Sequence, residues 1–303
     1  MKIIKYLIIL LLSNSFFIHS QNSNKRYIII DSNTNEPIPY VAIKFLKTNK
    51  GVYSNEKGEF INDEKKDSIQ ISHLNYSARK IKLSEQSSEI IYLNPKLNVL
   101  DEIRIEKNKH KEKTIGFVKK KKNLSWFIKP KTELTTLIKY SKKINNSEIK
   151  KIVLPIGKKT LVKNKKLSFN NIFRVNLYSN INNKPGVSLL KKPVIISINQ
   201  DSKDIIEINV EKFGVNFPVE GVFVAVEMIG KLDINGNVLN ETKNILPAFM
   251  FTDKKRKNII SSSFIKTVFG NNKWIKIDEY YKNVPDISKY NMAVSLELLV
   301  YEK

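Results

Sequence analysis

The side chains that most often perform catalysis are scarce in this chain. There is no Cys, and the three His residues are His19 in an N-terminal apolar segment, His73 in a strand-like pattern and His110 among lysines. Zinc sites are built mainly from Cys and His, and we find neither a nucleophile elbow nor a glycine-rich phosphate loop. We therefore predict no catalytic residues, no metal site and no cofactor.

Two Asp- and Asn-rich segments offer oxygen atoms of the kind that bind calcium. Residues 31–36 begin like an EF-hand loop, but they lack the Gly at the sixth position and the Glu at the twelfth. Asp233, Asn235 and Asn237 form a similar set around Gly236. Asp and Asn also bond the backbone of the turns that they begin. We predict turns, and no calcium, at both places.

Glu227 interrupts an otherwise apolar run and is the most unusual carboxylate in the second half of the chain. Glu220 lies about 20 Å away along an extended strand at about 3.3 Å per residue, too far to act with it as a glycosidase pair. We predict that Glu227 forms an ion pair, with Arg174 as its partner. The alternative is a hydrolytic site, which would require Glu227, Asp278 and Glu279 in one cleft.

Aromatic residues near the C-terminus provide the other candidate contacts. Trp274, Tyr280 and Tyr281 could offer flat faces for stacking on a sugar, and together with Glu227 they are our candidate ligand-binding residues. The loop at 182–186 is a further candidate. Aromatic side chains lie in a sandwich core more often than in a binding site, so burial is the competing interpretation.

The charge of the chain is strongly basic, at +24. Only five of the 53 basic residues are Arg, whereas base and phosphate recognition relies on the bidentate geometry of Arg. A Lys excess of this kind favours general attraction to anions over a dedicated site. We expect no nucleic-acid partner.

The first residues predict export. A basic start with Lys2 and Lys5 is followed by an apolar run over residues 6–12 and by the small residue Ser20, which is typical of a signal peptide over residues 1–20. Its removal would leave a net charge of +22, since only those two lysines are lost. The apolar run is shorter than the about 20 residues of a membrane span, and we expect no transmembrane span after cleavage. The expected location is the periplasm or the outer membrane.

Short apolar clusters separated by turn residues run through the rest of the chain. In residues 21–106 they predict an antiparallel β-sandwich. The predicted strands are 27–30, 38–46, 51–53, 59–61, 68–73, 78–83, 90–93 and 102–105. Residues 107–123 are crowded with Lys, which predicts a basic linker or an exposed edge; the alternative is a patch that contacts an anionic membrane surface.

The strand pattern resumes in residues 124–303 without intervening helices. This predicts a second, jelly-roll-like β-sandwich, so the fold class is all-β. The segment 292–300 is apolar enough to be a central strand. The other predicted strands are 150–155, 173–178, 193–198, 205–210, 221–228, 248–252 and 274–277.

Several turn and strand motifs in the first domain carry a resemblance. They are Asp31 with 34–37, then 53–55, 58–60, 67–72 with Tyr76, 91–95 and 100–105. Through these motifs residues 26–106 resemble the carboxypeptidase-like regulatory domain, a transthyretin-like β-sandwich of bacterial envelope proteins. We predict that Gly51 and Gly58 allow tight turns and that Phe60 closes the core beneath them. Asn75 stands where that family usually has Gly, a mild departure because Asn tolerates a left-handed backbone.

The resemblance implies a non-catalytic role, since the regulatory domain is not itself an enzyme. The second domain resembles, more weakly, the companion β-domain that follows this module in similar secreted proteins. We therefore expect a binding or docking module for an envelope protein or glycan. The alternatives are a cryptic hydrolase of an envelope glycan or peptide, and an assembly factor recruited by sheet-edge pairing.

Overall fold

The computed structural model describes residues 25–48, 50–62, 67–96, 109–117, 124–142, 144, 146–158, 169–239, 247–253 and 258–302. The predicted signal peptide over residues 1–20 and the predicted strand 102–105 lie outside these residues. Strands are numbered β1 to β23 in chain order. No helix within the described ranges is both long and apolar enough to cross a bilayer.

The first domain is a β-sandwich of two small sheets. One sheet has the order β4–β1–β7 and the other β3–β2–β5–β6. Ile29, Ile43 and Ile69 have no exposed surface and fill the space between them, and Phe60 joins the same core, as predicted. The strands are β1 (Arg26–Asp31), β2 (Ala42–Phe45), β3 (Gly51–Tyr53), β4 (Glu59–Ile61), β5 (Ser68–His73), β6 (Tyr76–Lys82) and β7 (Ile90–Leu93).

The second domain is a larger sandwich in which all of the described strand pairs are antiparallel. Its strands are β8 (His110–Gly116), β9 (Ser125–Phe127), β10 (Thr132–Tyr140), β11 (Ser147–Gly157), β12 (Asn170–Ile181), β13 (Lys184–Ser188), β14 (Val194–Asn199), β15 (Ile205–Asn209), β16 (Val222–Leu232), β17 (Val238–Leu239), β18 (Ala248–Asp253), β19 (Ile259–Ile260), β20 (Ser263–Thr267), β21 (Ile275–Lys276), β22 (Tyr290–Met292) and β23 (Ser295–Tyr301). A single α-helical turn, α1 (Ile277–Tyr280), and the 3-10 turns Leu83–Glu85, Glu211–Phe213 and Ile287–Lys289 complete the described elements.

Two sheets of unequal size form this second sandwich. The nine-stranded sheet has the order β13–β12–β16–β10–β20–β21, with β14, β17 and β19 pairing to β12, β16 and β10. The seven-stranded sheet has the order β22–β18–β11–β23–β8, with β15 and β9 pairing to β11 and β18. Phe173 and Phe249 meet edge to face across the core, with ring centroids 5.4 Å apart. The all-β fold class is confirmed. The last strand lies between β11 and β8, so the prediction that it is central is also confirmed.

Two predictions about single segments require correction. Of the two predictions for residues 107–123, the exposed edge fits and the linker does not, because residues 110–116 form β8, the edge strand that pairs along the whole of β23. Lys111 is exposed and pairs with Glu302, Lys113 is half-buried over the Tyr140 ring, and Ile115 is buried. Strand pairing therefore outweighs the charge repulsion that suggested a linker. The predicted strand 274–277 is a strand only at Ile275–Lys276, because the chain then turns into α1.

The outer face of the nine-stranded sheet is covered by the first domain. Ala42 and Tyr53 of the first domain pack with Ile229 and Phe269 of the second in one buried apolar cluster. Successive residues of a strand point to opposite faces, so β10, β12 and β16 are buried on both sides and present polar side chains to the first domain. This contact places the candidate site between the two domains.

Candidate functional site

Four charged side chains lie side by side across four neighbouring strands of the nine-stranded sheet. The register pairs Arg174 of β12 with Glu227 of β16, Glu227 with Glu133 of β10, and Glu133 with Lys266 of β20. We call these four residues the charged row. They share one face of the sheet, because residues directly opposite one another in a ladder point to the same side. The face is the one covered by the first domain.

The charged row is buried and internally neutralised. Arg174, Glu133 and Glu227 are 4%, 3% and 3% exposed. Arg174 Nη1 lies 2.8 Å from Glu227 Oε2, and Lys266 Nζ lies 2.8 Å from Glu133 Oε2. A charge buried without a partner costs several kcal/mol, so each cation requires its neighbouring carboxylate. The predicted ion pair between Glu227 and Arg174 is confirmed.

Hydroxyl and carbonyl groups complete the hydrogen bonding of the row. The Tyr53 hydroxyl of the first domain donates to Glu227 Oε1 at 2.6 Å, and the Tyr178 hydroxyl donates to Glu133 Oε1 at 2.8 Å. Arg174 Nη2 donates to the Tyr40 carbonyl of the first domain. All four carboxylate oxygens therefore accept a hydrogen bond. Neither carboxylate presents an unoccupied oxygen to a substrate.

The pKa shifts around the row keep the donors protonated. Burial raises the pKa of the Tyr53 and Tyr178 hydroxyls well above the usual value, and the adjacent carboxylates raise it further. Burial alone would lower the pKa of Arg174, but Glu227, Tyr53 and Glu133 together outweigh it and the pKa is raised. The phenols thus remain hydrogen-bond donors and the guanidinium remains charged at any ordinary pH.

The row forms the floor of an open cavity between the domains, which we call the interdomain cleft. Its volume is about 460 Å³, within the range of about 300–1,000 Å³ that is typical of small-molecule sites. Lys44 reaches across the interface to donate to the Gly270 carbonyl at 2.6 Å. Besides the four row residues, polar side chains that line the cleft are Lys44, Gln70, Ser72, Lys96, Asn271 and Asn272.

A second cavity, the side cavity, adjoins the cleft. Its volume is about 480 Å³, again in the range of about 300–1,000 Å³ for ligand sites. His73, Tyr76 and Lys96 line both cavities, so these side chains form their common wall. The His73 ring meets the Tyr76 ring edge-on at 5.3 Å. Burial, with the nearby cations Arg174 and Lys96, lowers the pKa of His73 to about 3, so the imidazole is neutral at physiological pH.

The structure separates the sequence-predicted site residues into two groups. Glu227 lies in the charged row, and Trp274 lies beside it, with Lys266 Nζ 4.3 Å from its ring centroid. Tyr280 and Tyr281 instead follow one another at α1, with their rings edge to face at 4.8 Å. Tyr281 also packs edge-on against Trp126 at 5.0 Å, which makes this pair part of a separate aromatic cluster.

Other predicted segments have simpler explanations. Asp31 accepts bonds from the backbone N–H groups of Asn33 and Thr34, and Asp233 accepts bonds from those of Asn235 and Asn237. Both segments are thus turns capped by Asp, as predicted. In the candidate loop 182–186, the two Asn at its start have positive φ and form the turn before β13.

Sequence reasoning missed half of the charged row. Neither Glu133 nor Lys266 was singled out from its sequence context. The signal that identified Glu227, a charge within a buried strand, was also present at Glu133, where the run Thr-Glu-Leu-Thr-Thr-Leu-Ile was not recognised as a strand. Tyr53 was recognised only as part of a motif.

The fold and the site together define a two-domain all-β protein with a polar cleft between the domains. Residues 28–105 match the family model of the CarboxypepD_reg-like domain. The first domain is therefore a carboxypeptidase-like regulatory domain, which confirms the resemblance of its motifs.

Two further comparisons add little. A solved structure of a clostridial cysteine protease after propeptide cleavage is similar over 62% of this chain and 40% of that chain, with 13% identity and a TM-score of 0.36. The chain thus corresponds to less than half of that solved chain, and a similarity at this score does not establish a shared fold. A comparison with curated proteins gave no match.

Proposed function

We propose that this protein is a non-catalytic exported binding protein of the cell envelope, and that its two domains act as one binding unit for a protein or glycan partner. The observation that carries the proposal is the interdomain cleft. It is open, polar and lined by both domains. The carboxylate oxygens on its floor are already bonded: those of Glu227 to Tyr53 of the first domain and to Arg174, and those of Glu133 to Tyr178 and Lys266 within the second domain.

The proposal assigns each domain a part. The regulatory domain supplies Lys44, Gln70 and Ser72 to the cleft wall, and the second sandwich supplies the charged row as a rigid floor. Sites on rigid strands hold their geometry better than sites on loops. A partner that enters the cleft would therefore contact both domains without requiring a change in either.

Affinity capture from an envelope extract tests the proposal. The mature, tagged protein is incubated with extract and washed at low and then high salt. We expect a partner that survives high salt, because contacts inside a cleft are screened less than surface charge. If all captured material elutes with salt, the proposal is wrong and the +22 charge merely collects anions.

A matched pair of variants ties the captured partner to the cleft. Ser72→Trp places a large ring in the cleft wall on β5, whereas Ser77→Trp places the same ring on the exposed β6 beside it. We expect Ser72→Trp alone to lose the partner. Thermal unfolding of both variants checks that they remain folded, and equal capture by both would place the binding surface elsewhere.

A hydrolase remains the second candidate, because Glu133 and Glu227 are directly opposite each other on neighbouring strands. Retaining glycosidases use carboxylates about 5–5.5 Å apart, a spacing that cross-strand neighbours can reach. Asp278 and Glu279, the partners expected from the sequence, are not among the described residues that line the cleft. Release of reducing sugar from envelope polysaccharides, abolished by both Glu133→Gln and Glu227→Gln, would establish the hydrolase and overturn the binding proposal.

The assembly alternative is less well supported. Two described edge strands, β8 and β6, carry exposed charges, including Lys111, Glu112 and Lys80. Charged edges of this kind discourage pairing with another strand. Export itself is proposed from the signal-like first 20 residues, and N-terminal sequencing of the mature protein from a cell envelope fraction tests it.

A further inference from the structure

The two domains touch through side chains and share no sheet. Within the described residues, no strand of the first domain pairs with a strand of the second. Polar bonds that cross between them involve the charged row: Tyr53 donates to Glu227, and Arg174 donates to the Tyr40 carbonyl. Each sandwich also has an apolar core of its own, so the domains can part without either one unfolding.

The apolar part of the contact consists of two small clusters. One is the cluster described above, in which Ala42 and Tyr53 pack with Phe269. In the other, Leu74 of the first domain packs against a cluster of the second that includes Trp274. Contacts between domains of one chain resemble transient protein–protein interfaces. A change of charge at such a contact shifts the balance between docked and parted domains.

One histidine of the first domain lies at this contact. His73 is the last residue of β5, precedes Leu74, and lines both the cleft and the side cavity. Its ring is half-buried, so a proton from solvent can reach it. Its Nδ1 accepts the backbone N–H of Asn75 at 3.4 Å, a bond that a proton on Nδ1 would remove. The docked structure therefore fits the neutral imidazole.

The charges that act on His73 are positive and come from both domains. Arg174 of the second domain and Lys96 of the first both lower the pKa of the ring. The other cations that line the two cavities are Lys44, Lys266, Lys191 and Lys192. A proton added to His73 therefore places a further positive charge among cations, which like-charge repulsion disfavours.

The carboxylates near the ring do not offset this repulsion. Those that line the two cavities are Glu133, Glu227, Asp31 and Glu36. The two in the charged row are each paired with a cation, and Asp31 accepts the Tyr76 hydroxyl at 2.7 Å. None of them bonds the imidazole of His73, whose ring instead meets the Tyr76 ring edge-on. The docked structure thus holds no acceptor for a protonated His73 within the described part of the chain.

Parting the domains removes much of this penalty. The ring of His73 then meets water and leaves Arg174, so its pKa returns from about 3 in the docked protein to the ordinary value of about 6.5. Between these two pH values the parted state binds one more proton than the docked state. Docking is therefore weakened as the pH falls below about 6.5.

We infer that the contact between the domains is an acid-sensitive clamp: a proton added to His73, beside Arg174, parts the two domains and dismantles the interdomain cleft while both sandwiches stay folded. The inference names a regulation of the proposed binding site. Its consequence, release of a partner in acid, rests on the proposed function, whereas the parting itself does not.

Thiol labelling of single-cysteine variants tests the clamp, since the chain has no Cys of its own. Ala42→Cys puts a thiol at the interdomain contact, where residue 42 is 4% exposed. Val41→Cys puts one in the core of the first domain, and Ala248→Cys puts one in a buried position of the seven-stranded sheet. Labelling by a disulfide reagent is compared with labelling of the same variant unfolded in urea at the same pH, which gives the protection of each thiol.

We expect the protection of the Ala42→Cys thiol to fall about 25-fold from about pH 7 to about pH 5. This is the ratio set by one proton with pKa values of about 3 and about 6.5. Carboxylates of ordinary pKa, about 3.9–4.3, stay ionised over this range. The Val41→Cys and Ala248→Cys thiols should remain at least about tenfold better protected at each pH, because their exposure requires a sandwich to unfold. Urea unfolding corrects the comparison for the stability of each variant.

Two histidine variants assign the pH dependence. In the Ala42→Cys background, His73→Gln should abolish the fall in protection. His110→Gln is the matched control, because His110 is exposed on β8 of the second domain, and it should leave the fall at about 25-fold.

Three outcomes overturn the inference. These are protection of the Ala42→Cys thiol that does not change with pH, a fall that His73→Gln leaves in place, and corrected protection equal to that of the Val41→Cys or Ala248→Cys thiol. None of these measurements uses a partner. If the envelope extract yields a salt-resistant partner that Ser72→Trp abolishes, while acid leaves the domains docked, the proposed binding function stands and the clamp fails. If acid parts the domains and no partner is captured, the clamp stands and the proposed function fails.

Discussion

Replacing Glu227 by Gln is the sharpest test of how the two domains are held together. The change keeps the shape of the side chain but removes the charge that neutralises Arg174, whose guanidinium is 2.8 Å away and 4% exposed. Breaking a buried ion pair from one side costs about 3–5 kcal/mol. The substitution also relieves the repulsion between Glu227 and Glu133, which are directly opposite each other. We therefore expect the free energy of unfolding to fall by about 3 kcal/mol.

Urea unfolding followed by tryptophan fluorescence measures this change. Trp274 is a suitable reporter because Lys266 of the charged row lies over its ring. The matched control is Glu220→Gln, which removes one partner of the exposed pair with Lys139, where Glu220 is 69% exposed. Pairs at the surface contribute about 0–1 kcal/mol, so the control should be nearly silent.

A double substitution tests the physical reason for the loss. With Arg174→Met already present, Glu227→Gln no longer leaves a buried cation without its partner, and the combined loss should be smaller than the sum of the two single losses. Losses that simply add, or a Glu227→Gln loss as small as that of Glu220→Gln, would refute the reasoning that a buried ion pair stabilises this interface.

Three further predictions concern single residues. Tyr53→Phe removes the hydroxyl that donates to the buried Glu227 carboxylate at 2.6 Å. It should lower the free energy of unfolding in urea by about 1.5–3 kcal/mol. The control Tyr92→Phe, on an exposed ring, should leave it unchanged. The pKa of His73 is about 3 in the folded protein and about 6.5 in the unfolded chain. Between these pH values the unfolded state binds one more proton, so the free energy of unfolding should fall on acidification by at most about 1.4 kcal/mol per pH unit. His73→Gln should not show this fall. Gly58→Ala should lower the free energy of unfolding by about 2–3 kcal/mol, because φ is +73° and the new Cβ would lie 2.6 Å from a backbone oxygen. The control Gly236→Ala, at φ +79° with no atom within 4 Å of the new Cβ, should lower it by about 1 kcal/mol.

Each of these three predictions would be contradicted by a different result. Equal losses for Tyr53→Phe and Tyr92→Phe would mean that the interdomain hydrogen bond adds nothing to stability. Parallel stability-against-pH curves for the unmodified protein and His73→Gln would mean that the imidazole is not held neutral. Equal losses at the two glycines would mean that the backbone angle alone, and not the close approach to the neighbouring strand, sets the requirement at Gly58.

Much of the first domain could be predicted from the sequence because its determinants are local. Alternating residues such as Ile69 and Ile71 assign one face of β5 to the core, and turn residues such as Gly58 mark where strands end. Seven of the eight predicted strands overlap β1 to β7, although the predicted strand 38–46 is a strand only at Ala42–Phe45; the eighth lies outside the described residues. The ion pair of Glu227 with Arg174 was also predictable, since a charge in a buried strand requires a partner.

Gly51 shows how a correct residue can be given the wrong reason. It was predicted to allow a tight turn, but it opens β3, and its φ is not among the positive values. An added Cβ would lie 2.4 Å from the ring of Phe269 in the second domain. The requirement for Gly at this position comes from domain packing, which no local pattern reports.

The sequence by itself determined the all-β class, the family of the first domain and the scarcity of catalytic side chains, because strand periodicity, turn motifs and composition are properties of neighbouring residues. Only the tertiary structure decided that Glu133 and Lys266 complete a buried row and that Tyr53 closes it from the other domain. These groups are 80 to 213 residues apart in the chain, and they meet only because strand register and domain packing bring them together. The cleft follows from that same packing, which is why the candidate site could not be found from the sequence.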